Sequence, residues 1–189
     1  MNEQEAINLL IAKESPDALI KHNITVSEVS TILALALKEK GYEIDLNLVK
    51  VGGLLHDIGR TRTNSVYHGY LGGKLLREMG LDEKIARIAE RHVGGGLSKE
   101  DAEKLNLPEG IYMPKTLEEK VVCFSDKIVG MDEIISLEVT LDELRKELGN
   151  KSDAIQRLRK LKSELAILLE CDPEQIVNKN FIRIHSKQS

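Results

Sequence analysis

The apolar residues of this chain recur every three to four positions, the spacing of an α-helix, along almost its whole length. No segment shows the sustained alternation of apolar and polar residues that a half-buried β-strand requires. The pattern therefore predicts an all-α fold. Because 41% of the 189 residues are hydrophobic and 31% are charged, the chain has enough apolar side chain for one core. We predict a single domain over residues 1–189, in which helices of a C-terminal extension, residues 131–189, complete the core.

Capping residues predict where the first helices begin. Ser15 and Pro16 suit the N-cap and the first helical position of a segment that ends near His22. Thr25 followed by Glu28 is a capping-box pattern, which predicts that a separate helix begins there. Three later helices have predicted N-caps, namely Asp45, Ser98 and Thr116. The tail after residue 173 is predicted to be only partly ordered. The other predicted helices share the apolar period and lie at residues 3–13, 46–58, 68–79, 82–92, 116–130, 140–148 and 152–171.

Charge and hydropathy argue against some classes of protein. The formal net charge is −4 and the pI is about 5.8, so binding to a nucleic-acid backbone is not expected. No run of about 18 apolar residues is present to span a bilayer, and the acidic N-terminus lacks the basic start of a signal peptide. We therefore expect a cytoplasmic protein with no membrane partner. Cys123 and Cys171 have no metal-like spacing and are interpreted as small buried apolar residues.

Four of the five histidines and two carboxylates form the clearest chemical pattern in the chain. His56 and Asp57 end an otherwise apolar helix, and Asp126 stands in the apolar string VVCFSDKIVG. A buried carboxylate is costly unless a cation or hydrogen-bond donors meet it. Imidazole and carboxylate are ligands for divalent metals, and helical folds collect one or two from each facing helix. Taken singly, each residue is more often a hydrogen-bonded core residue or a helix cap. The four histidines are His22, His56, His68 and His92.

The order of these residues resembles the HD superfamily of metal-dependent phosphohydrolases, in its HDIG-containing branch. The resemblance covers residues 15–130 and is carried by His22 in LIKHNITVSEVS, by HDIG at residues 56–59 and by Asp126 in FSDKIV. It implies an HD core over residues 15–130 and a divalent metal ion, which is Fe, Mn, Ni, Zn, Co or Mg. The ligands implied for that ion are His22, His56, Asp57 and Asp126.

Two further histidines look like those of the HD subgroup that binds two metal ions. His68, in HGYLGGKLL, and His92, in AERHVG, would then hold a second ion, with Asp57 bridging the two. This segment is similar to the bacterial HD hydrolases that split symmetrical dinucleoside tetraphosphates. The alternatives are that His68 is an ordinary residue at a helix N-terminus and that His92 is a cation favoured by a helix C-terminus.

The resemblance also implies a reaction. A metal-activated water would attack phosphorus, and Asp57 or Asp126 would accept the proton of that water. Arg60, which follows HDIG, and Lys127, which follows Asp126, suit the binding of a phosphate oxygen, although a side chain that faces solvent is an equally good interpretation of each. The expected catalytic residues are therefore Asp57, Arg60 and Lys127.

We expect a phosphohydrolase that cleaves a phosphoester or phosphoanhydride of a nucleotide or dinucleotide. Cyclic di-GMP is disfavoured because no GYP extension is present and His92 is followed by VGGG. Two other classes stay open: a catalytically silent nucleotide-binding or regulatory module that keeps its metal, and a partner in RNA processing, which the acidic charge disfavours. A homodimer also stays open, and His185, in the polar tail, is assigned to no site.

Overall fold

The computed structural model describes residues 1–149 and 152–185, and this part of the chain is all-helical, as predicted. It contains no strand, only two isolated β-bridges. Two short 3-10 helices, Ile58–Thr61 and Val93–Gly95, follow the third and fifth α-helices. The α-helices are α1 Glu3–Ala12, α2 Asp17–Glu39, α3 Leu46–Leu55, α4 His68–Glu78, α5 Glu83–Arg91, α6 Lys99–Lys104, α7 Leu117–Asp126, α8 Leu137–Leu148, α9 Asp153–Leu169 and α10 Pro173–His185.

Helix α2 differs from the prediction at its beginning and in its length. It runs unbroken for 23 residues, so His22 lies inside the helix and not near an end. The predicted capping box at Thr25 is wrong, because the Thr25 hydroxyl donates to the carbonyl of Lys21 one turn back, 3.1 Å away. Pro16, and not Ser15, is the N-cap, and it makes no side-chain cap bond. The helix continues because no glycine or proline interrupts it and its inner face is buried between neighbouring helices.

Helices α2 and α3 lie unusually close together. Asp45 caps α3 by accepting from the backbone N–H of Leu48, 3.0 Å away, as predicted. A Cβ atom at Gly53 would lie 2.7 Å from Cα of Ser27 in α2, so a larger residue there would push the helices apart. The Ser27 hydroxyl donates to the carbonyl of Lys50 across the same contact, 2.8 Å away. The close approach brings the middle of α2 next to the end of α3.

Several α-helices end earlier than predicted. The helix predicted over residues 46–58 ends at Leu55, with His56 as its C-cap, and the backbone of Asp57 has φ −100° and ψ 12° before the 3-10 helix begins. The helix predicted over residues 116–130 ends at Asp126. Both helices therefore end at candidate metal ligands, where the side chain is no longer confined to one helix face.

The C-terminal helices complete the core. Leu158 and Leu165 of α9 are fully buried, and α8 begins at Leu137, earlier than the predicted residue 140. The prediction of a partly ordered tail after Pro173 is wrong for the described residues, since Pro173 begins α10 and Val177 is fully buried. The boundary between core and extension at residue 130 stays a prediction.

Two findings concern the rest of the surface. No helix among residues 1–149 and 152–185 is long and apolar enough to cross a bilayer. Cys123 is buried, as expected, but the expectation of a buried Cys171 is wrong, because Cys171 follows the end of α9 and is exposed.

Candidate metal centre

One buried cluster collects the four histidines and two aspartates that the sequence singled out. His22 comes from the inside of α2, His56 and Asp57 from the end of α3, and Asp126 from the end of α7. His68 is the first residue of α4, and His92 follows the last residue of α5. All of these side chains are buried or nearly so; the most exposed is His22, at 16%. Helices that are far apart in sequence therefore bring six candidate metal ligands together in one buried cluster.

The first group in the cluster surrounds Asp126. Nε2 of His22 lies 3.1 Å and Nε2 of His56 lies 3.4 Å from Oδ1 of Asp126. One ligand atom from each of these three residues lies within 4.8 Å of the others, so a single ion can contact all three.

The second group surrounds Asp57. Nε2 of His68 and Nε2 of His92 each lie 3.2 Å from Oδ1 of Asp57. Nε2 of His56 lies 3.9 Å from Oδ2 of the same carboxylate. One ligand atom from each of His56, Asp57 and His92 also lies within 4.8 Å of the others. Oδ1 of Asp57 therefore contacts His68 and His92, while the imidazole nitrogen near Oδ2 belongs to His56.

All four histidines present the same nitrogen to the cluster. In each ring Nδ1 lies 2.6 to 2.8 Å from a backbone carbonyl oxygen. A carbonyl oxygen only accepts, so Nδ1 carries the proton and, in a neutral ring, Nε2 carries the lone pair. This is the orientation that metal-binding histidines adopt through a second hydrogen bond. The carbonyls belong to Gly130 for His22, Gly53 for His56, Ser65 for His68 and Ala89 for His92.

The cluster has an excess of acceptors, and this fits a cation. Nε2 of His56 and Oδ1 of Asp57 are buried without a hydrogen-bond partner among the described residues. Nε2 of His68 also faces Nε2 of His92 at 3.1 Å. Buried acceptors that face one another without donors are costly, whereas a divalent ion between them satisfies several at once. The donor set of imidazoles and carboxylates suits such an ion.

The cluster shifts the pKa values of several of its groups. Burial would lower the pKa of His22, but its contact with Asp126 raises it. Burial alone would raise the pKa of Asp57 and of Asp126, but neighbouring imidazoles, and Lys127 beside Asp126, hold both well below the usual range. Burial lowers the pKa of His92 to about 4, so this ring is neutral near pH 7. Both carboxylates are therefore charged, and the His92 ring is ready to act as a ligand.

Two cations each contact one of these carboxylates. Nε of Arg60 lies 2.5 Å from Oδ2 of Asp57, and Nζ of Lys127 lies 2.5 Å from Oδ2 of Asp126. The Arg60 side chain is 35% exposed and that of Lys127 is 18% exposed. Burial would lower the pKa of Lys127, but the charge of Asp126 raises it. Each carboxylate of the cluster is thus paired with one cation, of which Arg60 is the more exposed.

The glycine of HDIG has a structural role that the sequence reasoning missed. A Cβ atom at Gly59 would lie 1.9 Å from the backbone oxygen of His68 and 2.6 Å from the backbone nitrogen of Gly72. The 3-10 helix therefore packs directly against the first turns of α4, which carries His68. The signal was present in the sequence, since Gly59 belongs to the motif and Gly72 lies in the glycine-rich stretch HGYLGG.

Comparison with a family model gives a match over residues 19–131, a span that includes all six cluster residues; the family is described as the HD domain. The fold is similar to solved structures of the HD domain of the phosphodiesterase PgpH of L. monocytogenes. One of them has a TM-score of 0.53 at 18% identity and covers 96% of this chain and 97% of that chain. Another, in complex with cyclic-di-AMP, has a TM-score of 0.52 at 15% identity, covering 88% and 94%. At these identities the likeness shows the fold.

Curated relatives are more similar in sequence. The uncharacterized protein MJ0778 of Methanocaldococcus jannaschii is 45% identical over 152 residues, which cover 80% of this chain and 90% of that protein. The tRNA (cytidine(56)-2'-O)-methyltransferases of Picrophilus torridus and Thermoplasma volcanium are 38% and 35% identical over 175 residues, 93% of this chain. This chain covers only 49% and 50% of those two proteins, so it spans about half of their length.

Proposed function

Because the chain belongs to the HD domain family, we propose that it is a divalent-metal-dependent phosphohydrolase that cleaves a phosphoester or phosphoanhydride of a nucleotide or dinucleotide with water. The observation that carries the proposal is the convergence of four imidazole Nε2 atoms on two charged carboxylates, with each Nδ1 held by a backbone carbonyl. A cluster arranged only for stability would pair these acceptors with donors.

The proposed ligands form two half-sites that share Asp57. His22, His56, Asp57 and Asp126 would hold one ion, and His68 and His92 would hold a second. The two oxygens of Asp57 support the sharing, because Oδ1 faces His68 and His92 while Oδ2 lies on the side of His56. Such a nitrogen and oxygen set favours Mn, Fe, Co, Ni or Zn over Mg, which prefers oxygen ligands.

The protein's own groups have separate roles in the proposed reaction. A divalent ion bound here would act as a Lewis acid on a phosphate oxygen and lower the pKa of a bound water. Arg60 contacts Asp57 and Lys127 contacts Asp126, and the charges of these two side chains would bind and orient the phosphate. Asp57 and Asp126 are the carboxylates present to accept the proton of the attacking water, since both are charged at neutral pH.

The first experiment measures metal content and hydrolysis together. Purified wild type would be compared with Asp57→Ala and with Asp142→Ala, whose carboxylate is 61% exposed on α8. The substrates would be nucleotides, dinucleoside polyphosphates and cyclic-di-AMP, with added Mn²⁺, Fe²⁺ or Ni²⁺. We expect one or two equivalents of metal and hydrolysis in wild type and in Asp142→Ala, and neither in Asp57→Ala. A folded wild type that takes up no metal would refute the proposal.

The alternative of a silent module predicts a different result from the same experiment. Such a module would bind metal and nucleotide but turn over no member of the panel. The buried acceptors of His56 and Asp57 that have no hydrogen-bond partner among the described residues fit a metal site in an enzyme and in a silent module alike. Measured turnover therefore separates the enzyme from the silent module.

A second candidate substrate is the phosphate group of an RNA end. The observation that favours it is the likeness to two tRNA methyltransferases about twice the length of the matched region, which associates domains like this one with a tRNA-modifying enzyme. The net charge of −4 argues against broad contact with RNA. Adding tRNA and short RNAs with 2'-, 3'- or cyclic phosphate ends to the panel tests this, with hydrolysis and its salt dependence as the readouts.

A further inference from the structure

A buried ion pair stands directly next to the metal cluster. Arg91 is the last residue of α5 and immediately precedes His92, and Glu119 lies in the first turn of α7. Nη1 of Arg91 donates to both carboxylate oxygens of Glu119, at 2.8 and 3.0 Å. The two side chains are only 9% and 4% exposed. None of the steps proposed above uses this pair.

The pair also holds the backbone between α5 and α7. Nε of Arg91 donates to the carbonyl of Ile111, 2.9 Å away. Oε2 of Glu119 accepts from the backbone N–H of Lys115, 2.6 Å away, and from that of Thr116, 3.4 Å away. The loop that leads into α7 is therefore tied to the end of α5 by hydrogen bonds that depend on both charges.

Helix α7 contacts His92 at a second point. The Cys123 thiol lies 3.4 Å from the backbone carbonyl of His92 and can donate to it. Glu119, Cys123 and Asp126 are spaced four and three residues apart, so they lie along one face of α7. The same helix face thus contacts Arg91, contacts His92 and supplies the carboxylate of the first half-site.

A buried ion pair is not a general means of stabilising a core. Desolvation of the two charges offsets much of their attraction, and well-packed apolar residues are often at least as stable. What the pair does provide is a defined position. Nη1 of Arg91 is shared between the two oxygens of Glu119 while Nε donates to the carbonyl of Ile111, so one guanidinium holds the end of α5 against both the loop and the first turn of α7.

We propose that Arg91 and Glu119 are a positioning pair that sets where His92 stands relative to Asp57, and that the second metal ion requires it. This rests on the proposed two-ion site. His92 is attached to the pair through one peptide bond. His22 and His56 lie on α2 and at the end of α3, whereas Asp126 lies about two turns along α7 from Glu119. Loss of the pair therefore affects the half-site of His68 and His92 more than that of His22 and Asp126.

The test is a Mn²⁺ titration of metal-free full-length protein, with free Mn²⁺ measured by electron paramagnetic resonance. The variants are Glu119→Gln, which keeps the shape and removes the charge, and the milder Glu119→Asp and Arg91→Lys. We expect the weaker or second binding step to lose about 10-fold or more in affinity in Glu119→Gln, the size typical of lost support to a ligand. The first step should change by less than about threefold, and activity should recover when Mn²⁺ is raised.

Arg87→Met is the matched control, since Arg87 lies one turn earlier on α5, is 47% exposed and pairs with Glu83. It should titrate like wild type. Equal weakening of both steps in Glu119→Gln, or a lower melting temperature with both steps unchanged, would overturn the inference and leave the two-ion site standing. If Glu119→Gln fails to fold, the same comparison is made with Glu119→Asp and Arg91→Lys. If wild-type protein shows a single Mn²⁺ binding step, both the proposed two-ion site and this inference are wrong.

Discussion

Nε2 of His68 lies 3.1 Å from Nε2 of His92, although in both rings Nδ1 already donates to a backbone carbonyl. Two lone pairs facing one another in a buried place repel, and only a proton or a metal ion between them relieves this. Because burial lowers the pKa of His92 to about 4, that ring is neutral near pH 7 and its Nε2 is available as a metal ligand.

Metal should therefore stabilise the fold. We expect Mn²⁺ or Co²⁺ to raise the melting temperature of metal-free protein and EDTA to reverse the rise. At a free metal concentration 100 times Kd, the gain in free energy of unfolding is about 2.7 kcal/mol by mass action. Differential scanning fluorimetry across a metal series measures it. Asp57→Ala is the control and should show a much smaller rise; an equal rise in both proteins would place the binding elsewhere.

The two half-sites should be separable by substitution. We expect His68→Ala to lose the second equivalent of metal and to keep the first, because His68 contacts Asp57 and His92 and not the group around Asp126. His22→Ala should weaken the first equivalent, since its ring contacts Asp126. The metal content of each dialysed variant, measured by inductively coupled plasma mass spectrometry, checks both expectations. Identical losses in the two variants would argue for one shared ion.

Gly59→Ala should damage the centre without touching a ligand. The added methyl would lie 1.9 Å from the backbone oxygen of His68, and backbone atoms cannot yield as a flexible side chain can. The first turn of α4 must shift, so we expect reduced metal affinity and a loss of stability of about 1–3 kcal/mol, as for overpacking. Denaturant unfolding and metal titration are the measurements.

Gly110→Ala is the control for that substitution. The atoms nearest to its added methyl belong to the side chain of Tyr112, at 3.3 to 3.4 Å, and not to a cluster residue. We expect near wild-type metal binding in this variant. Comparable losses of metal in both variants would mean that the close contact at Gly59 is not the cause.

Arg60→Gln should affect substrate more than metal. If Arg60 binds a phosphate oxygen, its loss removes a charge-assisted hydrogen bond of about 1.5–3 kcal/mol, which is roughly 10- to 100-fold in kcat/KM. Steady-state kinetics on the best substrate of the panel measures this, with the metal content determined in the same samples. Arg62→Gln, two residues on, is the control. An unchanged kcat/KM in Arg60→Gln would show that Arg60 forms its ion pair with Asp57 but does not bind the substrate.

The two cysteines should differ sharply in reactivity. Burial raises the pKa of Cys123 to about 12, so its reactive thiolate is scarce at pH 8, whereas Cys171 is exposed. We expect one fast-reacting thiol per native chain with a thiol-specific reagent and two after denaturation. Cys171→Ser should abolish the fast reaction, and a fast thiol that remained in that variant would contradict the burial of Cys123.

Capping residues in the sequence correctly predicted the starts of several helices. Asp45, Ser98 and Thr116 each cap the helix that their position predicted. Thr25 shows the limit of such signals, since the same threonine that can cap a helix also fits inside one by bonding to the carbonyl of Lys21. Local sequence does not distinguish the two cases, because burial of α2 against its neighbours decides between them.

The sequence by itself determined the fold class and the chemical nature of the site. Helical periodicity favours helices whatever their packing, and the set of histidines and aspartates, in the order in which they occur, predicts a metal centre. Only the tertiary structure decided how those residues are arranged. Three of the carbonyls that orient the rings lie only three residues before their histidine. The carbonyl of Gly130 that holds His22, the contact of Gly59 with α4 and the pair of Arg91 and Glu119 join separate segments of the chain. No local pattern records such contacts, since they exist only once the helices pack.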